Sequence, residues 1–177
     1  MALLISYTNT PLGVMRMGAT DKGICLFDFQ YRKSIDSIMK RIEQQVGEVF
    51  TEGAHQHFTV LQEQIKEYFD GTRQDFDLPL HLVGSPFQVR VWEALLQIPY
   101  GETRSYKQQS IALGGEKAIR AVAGANGENG IAIIVPCHRV IGTNGSLTGY
   151  GGGLPKKQWL LQHEAKHSGK TGQLGLF

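Results

Sequence analysis

At 177 residues the chain can form one domain or two small ones with a substantial core, and its net charge of +2 is too small to argue by itself for a polyanionic partner. No run of the roughly eighteen apolar residues needed for a membrane span occurs. Two cysteines, Cys25 and Cys137, lie in different halves of the chain, which argues against a disulfide framework and for a reduced, cytosolic protein.

The apolar start at residues 1–5 is too short for a signal core and lacks a positive flank, so no targeting segment is expected. From there to Phe29, short apolar runs alternate with turn residues such as Asn9-Thr10-Pro11-Leu12-Gly13 and Asp21-Lys22-Gly23. This predicts an antiparallel meander. Ile35, Ile38, Ile42 and Val46 then recur at helical spacing, as do Phe58, Leu61, Ile65 and Phe69 ahead of Gly71, a helix stop. A first domain over residues 1–84 is therefore sheet plus helices. His55 and His57 flank the start of the second helix, but with Cys25 they show no recognisable ligand spacing, and no metal is expected.

Residues 76–83 read as an extended connector, after which Ser85-Pro86 provides an N-cap followed by proline at the first helical position. Phe87, Val91, Trp92, Leu95 and Leu96 give that helix an apolar face, and Ile98-Pro99-Tyr100-Gly101 ends it. Two short helices follow, over residues 105–113 and 116–124, separated by Gly114-Gly115. That arrangement suits a helix-turn-helix. Divided at Gly84, the chain has 8 Lys+Arg against 11 Asp+Glu before the break and 10 against 5 from Ser85 on. The asymmetry points the second half toward a polyanion.

Residues 131–135, five apolar side chains that are mostly β-branched, read as a short buried strand. Pro136 cannot donate to a sheet ladder and should end it, leaving Cys137 rigidly held. His138 follows directly and can draw off the thiol proton, itself or through a water, to leave a nucleophilic thiolate. Arg139 adds positive charge. A buried cysteine is by default a small hydrophobe, so the Cys-His pair alone carries little weight. Residues 142–153 hold six glycines around Tyr150, a loop whose backbone can approach a flat ligand. Leu154-Pro155 then opens a last helix carrying Trp159, Leu160, Leu161 and Glu164.

The pentapeptide Pro136-Cys137-His138-Arg139-Val140 resembles the active-site signature of the O6-alkylguanine-DNA alkyltransferases. Ser85-Pro86-Phe87-Gln88, Val91-Trp92, Ile98-Pro99-Tyr100-Gly101, Ser105-Tyr106, Arg120-Ala121-Val122, Asn126 with Asn129, Gly149-Tyr150, Trp159-Leu160-Leu161 and His163-Glu164 fall in the same family's order and spacing. A weaker Thr10-Pro11-Leu12-Gly13 match extends the likeness to the amino-terminal half.

The resemblance implies an α+β fold of two domains: a ribonuclease-H-like sheet with helices over residues 1–84, and a mostly helical, winged-helix-like catalytic domain over residues 85–167. Residues 168–177 are then a tail. It implies a monomer without cofactor that carries out irreversible, single-turnover transfer of an alkyl group from O6-alkylguanine, or O4-alkylthymine, in double-stranded DNA to Cys137 after the nucleotide is flipped out. In the implied roles His138 is a general base acting through a bridging water, Glu164 orients it, and Tyr106 donates a proton to the leaving guanine. Asn129 ties the recognition helix to the active-site turn. Arg120 fills the gap in the stack while the helix-turn-helix lies in the minor groove, and the Val140 carbonyl, Tyr150 and the Gly151 amide receive the base.

Three departures from the family pattern carry expectations. Gly130 stands where proline is frequent, which should loosen that turn; Gly151 stands where serine or alanine is frequent, which should enlarge the pocket for alkyl groups bulkier than methyl; Ser110 and Glu116 shift the motif-helix boundaries. Two rival functions remain at the level of sequence, a Cys-His hydrolase working through an acyl-thioester that water opens, and a non-catalytic module that binds alkylated DNA. The last five residues, Gln173-Leu174-Gly175-Leu176-Phe177, resemble the Gln-Leu-x-Leu-Phe motif with which bacterial replication and repair proteins bind the sliding clamp. There Gln173 would hydrogen-bond, and Leu174, Leu176 and Phe177 supply the apolar contacts.

Overall fold

The computed structural model describes residues 1–169. Two compact units divide the chain, Met1–Ser85 with Gly130–Ala132, and Pro86–Asn129 with Ile133 onward.

In the first unit β1 (Leu4–Thr10), β2 (Gly13–Thr20) and β3 (Gly23–Phe29) form the expected antiparallel meander. A fourth strand that sequence reasoning did not anticipate, β4 (Thr51–Glu52), pairs parallel with β1 and gives the order β3-β2-β1-β4. At two residues it is too short for alternation to register. The periodic segments fold as α1 (Ile35–Val46) and α2 (Gln56–Asp70), each closed by a glycine in the left-handed conformation, Gly47 and Gly71. Ile35, Ile38 and Ile42 of α1 pack with Leu3, Ile5, Cys25 and Leu26. Cys25 is thus a core residue, and His55 caps α2 by accepting the His57 backbone N–H at 3.1 Å.

β3 is buried along its whole length. Its backbone also receives a later part of the chain: the Phe27 N–H donates to the Gly130 carbonyl at 2.8 Å, and the Ala132 N–H to the Phe27 carbonyl at 2.7 Å. Gly130 is therefore pinned rather than loosened. A Cβ there would stand 2.8 Å from Ile38 Cγ2, so any side chain at this position would oblige the Ile38 methyl to shift.

In the second unit α3 (Pro86–Leu95) buries Val91, Trp92 and Leu95, while Leu96 falls beyond its end and is exposed. Trp92 Nε1 donates to the Ala125 carbonyl at 2.8 Å. Ser105 caps α4 (Tyr106–Ala112) in a reciprocal capping box with Gln108. After Gly114 and Gly115, at φ +137° and +127°, one turn of 3₁₀ helix (Glu116–Ala118) leads into α5 (Ile119–Gly127). The second motif helix thus begins and ends later than its sequence suggested. Gly124 does not stop it, because the Glu128 N–H still reaches back to the Gly124 carbonyl. Gln109 and Asn126 exchange two side-chain hydrogen bonds, 2.8 and 2.7 Å, that lock α4 to α5.

The strand expected over residues 131–135 does not form. All five residues are buried, as their composition requires. After a single bridge from Ile131 to Phe27, however, the backbone turns, and Ile133 adopts φ +71°. A β-branched residue there costs roughly 1–2 kcal/mol, offset in part because Asn129 Nδ2 holds the Val135 carbonyl at 2.8 Å. Two short parallel strands, β5 (Arg104–Ser105) and β6 (Val140–Ile141), join the start of α4 to the segment that follows this turn. The chain closes with α6 (Leu154–Ser168). Among the described residues no helix is long and apolar enough to cross a membrane.

Candidate active site

Cys137, His138 and Arg139 form one turn of 3₁₀ helix directly after Pro136. The turn is tight: the Cys137 N–H donates to the Val135 carbonyl at 2.8 Å and the Arg139 N–H to the Pro136 carbonyl at 3.0 Å. Cys137 is partly exposed, whereas His138 and Arg139 are buried. Asn129 Nδ2, besides holding Val135, lies 3.3 Å from Cys137 Sγ. An amide N–H aimed at sulfur favours the thiolate over the thiol.

Behind the turn, α6 presents Glu164. Its Oε2 lies 2.7 Å from His138 Nε2, while its Oε1 accepts from Arg139 Nε at 2.7 Å and its Oε2 from Arg139 Nη2 at 3.1 Å. Arg139 Nη1 donates to the Ile98 carbonyl at 2.7 Å. Burial alone would push the Glu164 carboxyl up, but His138 and the two-pronged guanidinium hold it well below the usual carboxylate range. Burial pushes the His138 imidazole below its ordinary value, against the pull of Glu164. A neutral ring then donates its Nε2–H to Glu164 and keeps a lone pair on Nδ1, an atom that is buried and has no hydrogen-bond partner among the described residues.

In front of the turn lies a cavity of about 580 Å³ lined by Tyr106, Ile119, Arg120, Cys137, Tyr150 and Gly151, among others. This is within the roughly 300–1,000 Å³ typical of small-molecule sites. The β5–β6 pairing accounts for the meeting of distant sequence positions, since Tyr106 follows β5 at once and Cys137 shortly precedes β6. The Tyr106 hydroxyl donates to the Thr148 carbonyl at 3.2 Å. Burial, reinforced by charge on Cys137, raises its pKa, so the phenol keeps its proton. Arg120 stands exposed in the first turn of α5.

Two residues whose roles sequence reasoning missed complete the site. Arg139, read there only as positive charge, is the clamp on Glu164. Lys157 is fully buried, with Nζ 2.6 Å from the Val140 carbonyl, 2.9 Å from that of Thr148 and 3.2 Å from that of Gly149. It fastens the glycine-rich loop to β6. Burial pushes its ammonium down to about 8, and a Cys137 thiolate pulls it back up. Its signal was periodicity, because Lys157, Leu160, Leu161 and Glu164 fall at i, i+3, i+4 and i+7 on one helix face. The Val140 carbonyl, expected at the base edge, already accepts from Lys157, although a carbonyl has a second lone pair. Gln173, Leu174, Leu176 and Phe177 lie outside the described residues.

The chain matches two family models: the DNA binding domain of 6-O-methylguanine DNA methyltransferase over residues 86–166, and the ribonuclease-like domain of the same family over residues 3–82. A methylated-DNA–protein-cysteine methyltransferase of Methanosarcina barkeri is 43% identical over 157 residues, covering 88% of this chain and 93% of its own length. A protein of the same name from Mycolicibacterium paratuberculosis is 59% identical over 106 residues, 60% of this chain and 64% of the relative. Among solved structures, Mycobacterium tuberculosis OGT in complex with DNA superposes with a TM-score of 0.78 at 40% identity, covering 93% of this chain and 94% of that one. With both halves matched in order around the Cys137 turn, the chain belongs to the 6-O-methylguanine DNA methyltransferase family.

Proposed function

We propose that this protein repairs DNA by moving an alkyl group from guanine O6 to Cys137, once per chain. The carrying observation is a partly exposed thiol at a cavity of about 580 Å³, large enough to admit a base, backed by a buried His138–Glu164–Arg139 set. The Cys137 proton passes through a bridging water to His138 Nδ1, and Glu164 stabilises the imidazolium that results. The thiolate then attacks the alkyl carbon. A sulfur–carbon bond forms as the carbon–O6 bond breaks, and the departing guanine takes a proton from Tyr106. A thioether offers water no easy exit, so the chain is consumed.

Because the lesion lies inside a duplex, the nucleotide must leave the stack. Arg120 fills the space, with the helix-turn-helix in the minor groove. Gly151 lines the cavity without a side chain, which suits adducts bulkier than methyl; a benzyl group transferred far more slowly than methyl argues against that. A titration with lesion DNA tests the reading. Transfer stopping at one equivalent per chain supports it, and continued turnover indicates a hydrolase.

The protein works in the cytoplasm on chromosomal DNA. Residues 173–177 tether it to the sliding clamp and raise its local concentration at replicating DNA. Deleting them should abolish clamp binding and leave methyl transfer intact. Full-length protein without clamp affinity overturns this part.

A further inference from the structure

We infer that Ile119 contacts the DNA duplex, as an apolar wedge beside Arg120 at the point where the damaged nucleotide leaves the stack. The inference rests on the alkyl-transfer reading above. Ile119 and Arg120 open α5, and both line the cavity that holds Cys137. Ile119 continues the helical stripe of Val122 and Asn126, which are buried, yet at this end of the helix it is 37% exposed.

The rest of the exposed surface of α5 is nearly flat. It consists of Ala121, Ala123, Gly124 and Gly127, and a Cβ added at Gly124 or Gly127 would meet nothing within 4 Å. Ile119 and Arg120 are therefore the only large side chains that α5 exposes, and they are adjacent. A nucleotide in the cavity obliges its duplex to lie across the rim, against these two residues. Residues from Ser85 on carry 10 Lys+Arg against 5 Asp+Glu, a balance suited to phosphates rather than to an apolar protein partner. Arg120 brings charge and hydrogen bonds to the vacated space. Ile119 brings contact with sugar and base faces, the use to which minor-groove proteins put inserted apolar side chains.

The test compares methyl transfer from a lesion duplex with transfer from the free O6-methylguanine base, in the wild type, Ile119→Ala and Ile119→Leu. Burying the exposed part of an isoleucine is worth roughly tenfold in rate. The ratio of duplex to free-base rates should fall about tenfold in Ile119→Ala and stay near wild type in Ile119→Leu. An unchanged ratio in Ile119→Ala, or equal losses on both substrates, overturns the inference. Failure of the alkyl-transfer reading looks different, since no variant would then accept a methyl group from either substrate.

Discussion

Glu164 Oε2 stands 2.7 Å from His138 Nε2 with both side chains buried, which fixes the imidazole by one nitrogen and leaves Nδ1 without a hydrogen-bond partner among the described residues. The same carboxylate neutralises the buried Arg139. Glu164→Ala strands that charge, and urea denaturation should show a loss of about 3–5 kcal/mol. Glu116→Ala, which removes only the exposed 3.1 Å pair with Lys107, should change stability by less than about 0.5 kcal/mol.

Acid should act through His138 and through Asp28 in opposite directions. His138 is held below its unfolded value of about 6.5, so the unfolded chain protonates first. The stability this confers is complete above about pH 6.5 and is lost as pH falls. Glu164, also depressed, adds a further loss as pH drops below about 4.3. Asp28 behaves in the opposite sense: burial, only partly countered by Arg32, pushes it up to about 6. Its contribution is complete below about pH 3.9 and is lost as pH rises through its folded value. Peptide-resolved hydrogen exchange at pH 7 and pH 5, corrected for intrinsic rates, should show protection falling around residues 137–164 and not around residues 24–32. A uniform change across the chain contradicts this.

The two thiols should differ sharply toward iodoacetamide. Burial pushes Cys25 up to about 12, whereas Cys137 is partly exposed beside an amide donor. Peptide mapping of native protein should find label on Cys137 alone, with Cys25 labelled only after denaturation. Label on native Cys25 would mean that the first unit opens readily.

Much of this was legible in the sequence because the relevant physics is local or periodic. The meander showed in its turn residues, α1 and α2 in their isoleucine and leucine spacing, and the candidate nucleophile in Pro136-Cys137-His138-Arg139. Residues 131–135 misled because apolar, β-branched composition reports burial and not backbone path. The path is set by Asn129 and by the bond to β3, and neither appears in the segment itself. Lys157 was missed for a related reason: a lysine is read as solvated unless the carbonyls that hold it are seen, and its three lie 8 to 17 positions away.

Tyr106→Phe isolates the proposed acid. The ring keeps its packing and only the hydroxyl bond to Thr148 is lost, so stability should change by no more than about 1.5 kcal/mol. Methyl transfer from duplex should slow by roughly 10²-fold or more, most at high pH, where the leaving guanine lacks another proton source. An unchanged rate removes Tyr106 from the chemistry.

The central claim is a covalent one, and intact mass spectrometry reads it directly. After incubation with duplex DNA containing O6-methylguanine, the wild type should gain one methyl group, located on the peptide that contains Cys137, and Cys137→Ala should gain none. An unchanged wild-type mass, or a methylated Cys137→Ala protein, would contradict the assignment.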